Sequence, residues 1–270
     1  MQNSKYEVPK LAFLDVIDIK NYIQLDRTSA IYQALKESIK KPLKMILLYG
    51  RPGTGKSMML NKLASDLSAE GYHIYYYSTP LIDESEFLKS LSSDLFGVKY
   101  QGSLNLTHFI KIANEYTQER VPIILLDEAQ LYPQALMEKI RLLSDARIVK
   151  FVIALHKTKE EDLIAKEHFQ TRIWESIELK NATTQELKIY IQKKILKVNC
   201  FEVANMFHDK TAKRIYKYTD GNYRQTNKLL YILFDIYAWY ETNQPHKIRK
   251  TYIESKYIDM AAIHAGLLNA

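Results

Sequence analysis

Eight consecutive residues, Gly50-Arg51-Pro52-Gly53-Thr54-Gly55-Lys56-Ser57, follow the pattern GxxxxGK[ST]. Such a stretch can hold a phosphate chain. Its glycines let backbone N–H groups turn inward without side-chain clash, and a helix beginning at the lysine adds partial positive charge. Lys56 is placed to reach the β- and γ-phosphates, and Ser57 to offer its hydroxyl to Mg2+. The cradle expected from sequence is Gly50, Arg51, Pro52, Gly53, Thr54, Gly55, Lys56, Ser57 and Met58.

A second element lies about seventy residues on. In Ile123-Ile124-Leu125-Leu126-Asp127-Glu128 an apolar run ends in two carboxylates. Asp127 is the expected second holder of Mg2+, through its water shell. Glu128, one residue later, is the expected general base for an attacking water. A strand ending in acids is weak information alone. Behind a complete phosphate-binding loop, it specifies a nucleotide triphosphatase.

Buried strands must position these residues. Leu43 to Tyr49, His73 to Ser78, Val121 to Asp127 and Lys150 to His156 are short, continuous and rich in β-branched or aromatic side chains, as strands covered on both faces are. Glu175 to Leu179 is a further strand candidate. Helical spacing separates them, as in Met58 to Leu67 and Phe109 to Tyr116, so the fold class is α/β with a parallel sheet sandwiched between helices. Thr28 or Ser29 is expected to cap a helix that runs to about Lys40 and stops at Pro42. Asp83-Glu84-Ser85-Glu86 reads as a negatively charged helix start. After Asn181 no strand pattern occurs. Helices are expected from Thr183 or Thr184 to about Val198, from a cap at Asp209 to near Gly221, over Arg224 to Tyr240, and over Tyr252 to Leu267. The predicted organisation is an N-terminal segment and leading helix (1–41), a P-loop core (42–181) and an all-helical lid domain (182–270).

Taken together, the leading helix, P-loop, Asp-Glu strand, following strand and helical lid resemble an AAA+ ATPase. Within that class, Asp127-Glu128-Ala129-Gln130 and Arg141-Leu142-Leu143-Ser144 resemble the ExeA-like ATPases of bacterial secretion, pilus assembly and DNA uptake, which are related to ATPase regulators of transposition. The resemblance covers about Tyr22 to Leu268. It implies ATP as the nucleotide, homo-oligomers, and three further residues. The fourth strand should end in a polar sensor, and His156 holds that place. The family usually has Gln there after a Gly, so Leu155-His156-Lys157 is a departure. Phe169-Gln170-Thr171-Arg172-Ile173 resembles the segment whose arginine acts on a neighbouring subunit's nucleotide, making Arg172 a finger in trans. Thr219-Asp220-Gly221-Asn222-Tyr223-Arg224 partly matches the lid motif Gly-Gly-x-Pro-Arg, making Arg224 a reporter of the γ-phosphate. Tyr22, upstream of the leading helix, is a candidate to stack on adenine.

Composition bounds the partners. Among 270 residues a single cysteine, Cys200, excludes an internal disulfide and suits a reducing compartment. No apolar run reaches the ~20 residues of a membrane span, and the N-terminus lacks the apolar core of a signal peptide. The expectation is therefore a cytoplasmic protein, peripheral at an inner membrane only through partners. The net charge of +7 is uneven: residues 183–270 carry 14 basic and 8 acidic side chains, against 24 and 23 before them. The lid thus holds nearly all the excess, and DNA is a candidate partner there. Two functions follow. One is an ATP-driven protein that energises or regulates a secretion, pilus or DNA-uptake apparatus through nucleotide-dependent assembly. The alternative is an ATP-dependent DNA-binding regulator of the transposition type.

Overall fold

The computed structural model describes residues 4–116, 121–156 and 173–268. It divides into two compact units. One holds the residues through Ser29, the short stretch Gly53–Gly55 and the residues from Lys180 onward; the other holds Ala30–Pro52 and Lys56–Leu179.

The second unit is built on five strands, β1 (Met45–Gly50), β2 (Ile74–Tyr77), β3 (Ile123–Leu126), β4 (Lys150–His156) and β5 (Ile173–Leu179), in the order β2-β3-β4-β1-β5. Every pairing is parallel. Alternate residues of each strand point to opposite faces. Met45 and Leu47 therefore join Ile124, Leu126, Phe151 and Ile153 in one core, while Ile46 and Leu48 join Ile123, Leu125, Val152 and Ala154 in another. The first core is covered by α4 (Glu84–Phe96), α5 (Leu106–Glu115) and α6 (Gln134–Asp145), the second by α2 (Asp26–Lys40) and α3 (Lys56–Ala69). Burial on both faces explains why β1, β3 and β4 read as unbroken apolar runs. The Glu175 to Leu179 strand begins two residues earlier than expected, at Ile173. The leading helix also starts early, at Asp26, so Thr28 caps nothing; its hydroxyl donates back to the Leu25 carbonyl at 3.1 Å. Asp83 does cap α4, accepting from Glu86 N.

The helical unit contains α1 (Glu7–Leu11), α7 (Thr184–Lys197), α8 (Phe201–Asn205), α9 (Asp209–Thr219), α10 (Tyr223–Asn243) and α11 (Ser255–His264). Thr183 and Glu186 form a complete capping box at the start of α7, satisfying two N–H groups that the first turn leaves open. Asp209 is the first residue of α9, not its cap, and takes Lys188 Nζ at 2.8 Å. Asn222 caps α10, which runs three residues past Tyr240. The last helix is shorter than expected, because residues 248–254 form a pinned loop and Ala265 and Gly266 end the helix. Tyr6, Phe13, Ile23 and Leu25 are buried in the same core as Phe207, Phe234 and Tyr237, so the chain ahead of the leading helix is part of this unit. No helix among the described residues is long and apolar enough to cross a membrane.

One lysine of this core carries a measurable cost. Lys194 is 6% exposed. Its amine faces the Phe13 and Tyr190 rings at 5.2 and 5.4 Å and stands 3.5 Å from Asn227 Oδ1. Burial lowers its pKa to about 8, with Asp15 opposing and Lys197 reinforcing the shift. The folded state therefore binds this proton less tightly than the unfolded chain, and stability should rise from about pH 8 to 10 as the native amine empties first. Lys194→Met should raise stability at pH 7 by about 2 kcal/mol, somewhat below the value of the pKa span because the rings partly compensate the charge. The gain should shrink toward pH 10. Urea melts of both proteins at pH 7 and pH 10 measure it, and a pH-independent difference would refute the assignment.

Candidate phosphate-binding site

Because the sheet is parallel, its carboxyl ends lie on one side, where loops leave backbone groups free for a ligand. Gly50 at the end of β1 stands opposite His156 at the end of β4. Leu126, the last residue of β3, stands opposite Ile153 of β4 and Tyr77 of β2. The P-loop, Asp127, Glu128 and His156 thus issue from the same end of the sheet.

The loop after β1 has the shape its sequence implies. Gly53 and Gly55 adopt φ of +81° and +95°, a region costly for residues with a Cβ. Lys56 opens α3 and is 5% exposed; its amine donates to the Gly50 and Arg51 carbonyls at 2.8 and 3.1 Å. Thr54 is buried, Ser57 and Met58 are half-buried, and Arg51 and Pro52 are exposed. Gly53, which clusters with the helical unit, accepts Tyr223 N–H at 3.2 Å. A Cβ on Gly53 would come within 2.9 Å of Arg224 Cβ and overlap the Asn222 amide.

The acidic pair is held on two sides. Asp127 is 2% exposed. Its Oδ1 accepts Glu128 N–H at 2.9 Å and its Oδ2 accepts the Tyr76 hydroxyl at 3.0 Å. Burial first, and the Asp127 charge second, push the Tyr76 hydroxyl above the ordinary tyrosine range, which keeps its proton in place as the donor. Glu128 turns left-handed, φ +49°, a strained backbone of the kind that clusters at working sites. Its carboxylate meets His156 Nε2 at 3.1 Å and also accepts from Gln130 Nε2. Gln130 Nε2 lies 3.3 Å from His156 Nδ1, and Gln130 Oε1 accepts His156 N–H at 3.3 Å. The imidazole is thus held between Gln130 at Nδ1 and Glu128 at Nε2.

In this topology β1 lies between β4 and β5, and the acidic strand is two places from the P-loop strand. The fold is a P-loop AAA+ fold. Residues 39–163 match the family model described as an AAA domain. No curated protein matches the sequence. Among solved structures, the chain is similar to Cdc6p from Pyrobaculum aerophilum, with a TM-score of 0.64 and 16% identity over 95% of this chain and 71% of that one. The Aeropyrum pernix ORC1 protein, solved in complex with DNA, gives 0.63 and 16% over 94% and 69%. The Thermotoga maritima RuvB Holliday junction branch migration motor gives 0.59 and 19% over 93% and 73%.

The AAA+ core therefore gathers Lys56, Ser57, Asp127, Glu128 and His156 in one unit. Arg172 lies outside the described residues. Tyr22 and Arg224 belong to the helical unit. Tyr22 follows a 3-10 turn at Ile19–Asn21, and its carbonyl accepts Lys197 Nζ at 2.7 Å. Arg224, in the first turn of α10 with a 59% exposed side chain, stands 3.6 Å from Asp15. Two hydrogen-bonding neighbours escaped the sequence reading. Tyr76 lies in a tyrosine run legible only as a strand, and Gln130 lies in a segment whose sequence signals only a family resemblance. The signal for Tyr76 was its place on a strand that ends level with the acidic one. Within this unit the buried Lys56 amine, the Ser57 hydroxyl and the buried Asp127 carboxylate form a set of groups suited to a magnesium-bound triphosphate, whose cation prefers oxygen ligands.

Proposed function

We propose that the protein binds Mg2+-ATP and hydrolyses it to ADP and phosphate. The observation that carries this reading is the convergence of Lys56, Asp127 and Glu128 at the carboxyl ends of two parallel strands, β1 and β3, that flank β4. Loop amides of Gly50 to Met58 and the Lys56 amine hold the phosphates. Ser57 and Asp127 would hold Mg2+, whose charge offsets that of the phosphates when bound. Glu128 takes the proton of a water whose oxygen bonds to the γ-phosphorus, while the bond from that phosphorus to the β–γ bridging oxygen breaks and ADP leaves. His156 and Gln130 orient the Glu128 carboxylate. Arg172 is proposed as the finger offered to a neighbouring copy, Arg224 as the reporter of nucleotide state, and Tyr22 as the adenine contact.

Nucleotide-dependent self-assembly follows from that assignment of Arg172, since a finger in trans needs a second copy. The setting proposed from the ExeA-like resemblance is a bacterial secretion, pilus or DNA-uptake apparatus. A second reading, an ATP-dependent DNA-binding regulator, is favoured by the charge of the helical unit, 14 basic against 8 acidic residues in 183–270. The DNA named for the ORC1 structure supports it.

Lys56→Ala tests the common part. Losing a charge-assisted contact to phosphate should weaken ATP binding roughly 10- to 100-fold and suppress phosphate release. Calorimetric titration with ATP and Mg2+, followed by an assay of released phosphate, measures both steps. Unchanged affinity would exclude the P-loop assignment.

A further inference from the structure

The strongest unassigned feature is the connection between α10 and α11, residues 244–254. His246, Lys247, Arg249 and Lys250 are all exposed there. None of Lys247, Arg249 and Lys250 has a carboxylate within ion-pair distance among the described residues. The segment's one acid, Glu254, is turned inward. Its side chain is 16% exposed, accepts Arg249 N–H at 3.0 Å and neutralises Lys256 at 3.1 Å. Acids on the second half of α10 are also engaged: Asp235 takes Lys10 Nζ at 3.0 Å, and Glu241 takes the Ser4 hydroxyl and Lys5 N–H at 2.6 and 3.0 Å. Three positive charges are left unopposed on one short loop.

The loop is also fixed in shape. Ile248 and Ile253 are buried, at 7% and 3% exposure. Tyr257 donates to the Lys247 carbonyl at 2.7 Å, Ile253 N–H to the Met206 carbonyl at 3.3 Å, and Glu254 N–H to the Tyr237 hydroxyl at 2.9 Å. A cationic loop already held in place loses little backbone entropy on meeting a partner. Two large aromatic rings flank the loop's first residues in the chain and are exposed, Trp239 near the end of α10 at 51% and Tyr252 on the loop at 43%.

From this arrangement we propose that residues 246–252, with Trp239, form a nucleic-acid-binding surface. Lys247, Arg249 and Lys250 contact backbone phosphates, and the two rings meet bases of a single-stranded or opened region. Cations paired with sequence-tolerant stacking platforms are the chemistry of such surfaces. A lipid surface fits less well, because the loop's aliphatic side chains, Ile248 and Ile253, are buried and only the two rings are left to insert, short of an apolar face. This assignment rests on the DNA-binding reading above and adds where on the chain the contact is made.

The test is fluorescence anisotropy with labelled single-stranded and duplex oligonucleotides of about 30 nucleotides, titrated with the full chain in Mg2+-ATP across a salt series. Three phosphate contacts predict a log–log salt slope of roughly −2 for single strands and −3 for duplex. Lys247→Glu/Arg249→Glu/Lys250→Glu should weaken binding more than about tenfold near 0.1 M salt and flatten that slope. Trp239→Ala should weaken single-strand binding about tenfold. Lys210→Glu/Lys213→Glu/Lys217→Glu, an equal charge change on exposed positions of α9, should leave most of the affinity. Basal ATP turnover should be unchanged in all of these, which shows that they fold. Wild-type binding that both triple variants weaken equally overturns the surface while leaving the DNA-binding reading intact. No wild-type binding, with or without ATP, overturns both. Vesicles rich in phosphatidylserine that compete fully with the oligonucleotide would replace nucleic acid with lipid and overturn the proposal.

Discussion

Glu128→Gln should lower ATP turnover by roughly a hundredfold or more while nucleotide affinity stays within about threefold of wild type. General-base catalysis contributes about 10²- to 10⁴-fold, and the amide cannot accept the water's proton. The substitution preserves shape and keeps an oxygen for the His156 and Gln130 contacts made by the native carboxylate, so binding and folding should survive. Phosphate release under saturating ATP, together with a separate measurement of nucleotide affinity, distinguishes a chemical defect from a binding defect. A variant that turns over normally would remove Glu128 from the mechanism. One that binds ATP poorly would make it a structural residue of the loop. The effect should contrast with that of Lys56→Ala, where affinity falls first.

Gly221→Ala should be the most damaging small substitution in the helical unit, costing more than about 3 kcal/mol. Gly221 has φ of +70°, which alone costs a Cβ-bearing residue about 1 kcal/mol. The larger part is overlap. A Cβ there would come within 2.9 Å of the Ala182 carbonyl carbon and nearer still to its oxygen. Neither backbone can yield, because Ala182 N–H donates to the Gly221 carbonyl at 3.0 Å and joins the two segments at that point. Gly266→Ala is the matched control. It shares a positive φ, +68°, with nothing within 4 Å of the added carbon, so it should cost only about 1 kcal/mol. Urea denaturation of the two variants separates strain from overlap, and equal losses would disprove the account. The Gly221 turn also sets the start of α10, capped by Asn222, so the same variant should disturb Arg224.

The two substitutions differ in how visible their targets were. Glu128 was legible from sequence as a candidate base, since a carboxylate after an apolar strand and a P-loop is defined by a few adjacent residues. Gly221 was visible as a turn, yet its contact with Ala182, thirty-nine positions away, was not. The same division runs through the site. The strand ends carrying Gly50, Asp127 and His156 could be read locally. The partners that orient the acids could not, because Tyr76 reaches Asp127 across fifty-one positions and Gln130 reaches His156 across twenty-six. Helix ends fell between these cases. The cap at Thr183 was legible because its capping box is four consecutive residues. The start of α2 was not, because Thr28 spends its hydroxyl on a carbonyl behind it.

By itself, the sequence determined the glycine-rich loop, the acidic strand end, the parallel α/β core and the helical, basic C-terminal part. Each depends on residues near one another in the chain, where backbone sterics and hydrophobic periodicity act directly. Tertiary structure alone decided that Tyr6 and Phe13 complete the helical core, that Lys194 is buried against Phe13, and that the acids of α10 are tied to the N-terminal segment. Those outcomes turn on which apolar faces bury one another and which charges are paired or left open. Burial energy is non-directional, so no local pattern specifies the distant partner. That pairing leaves Lys247, Arg249 and Lys250 unopposed at the surface.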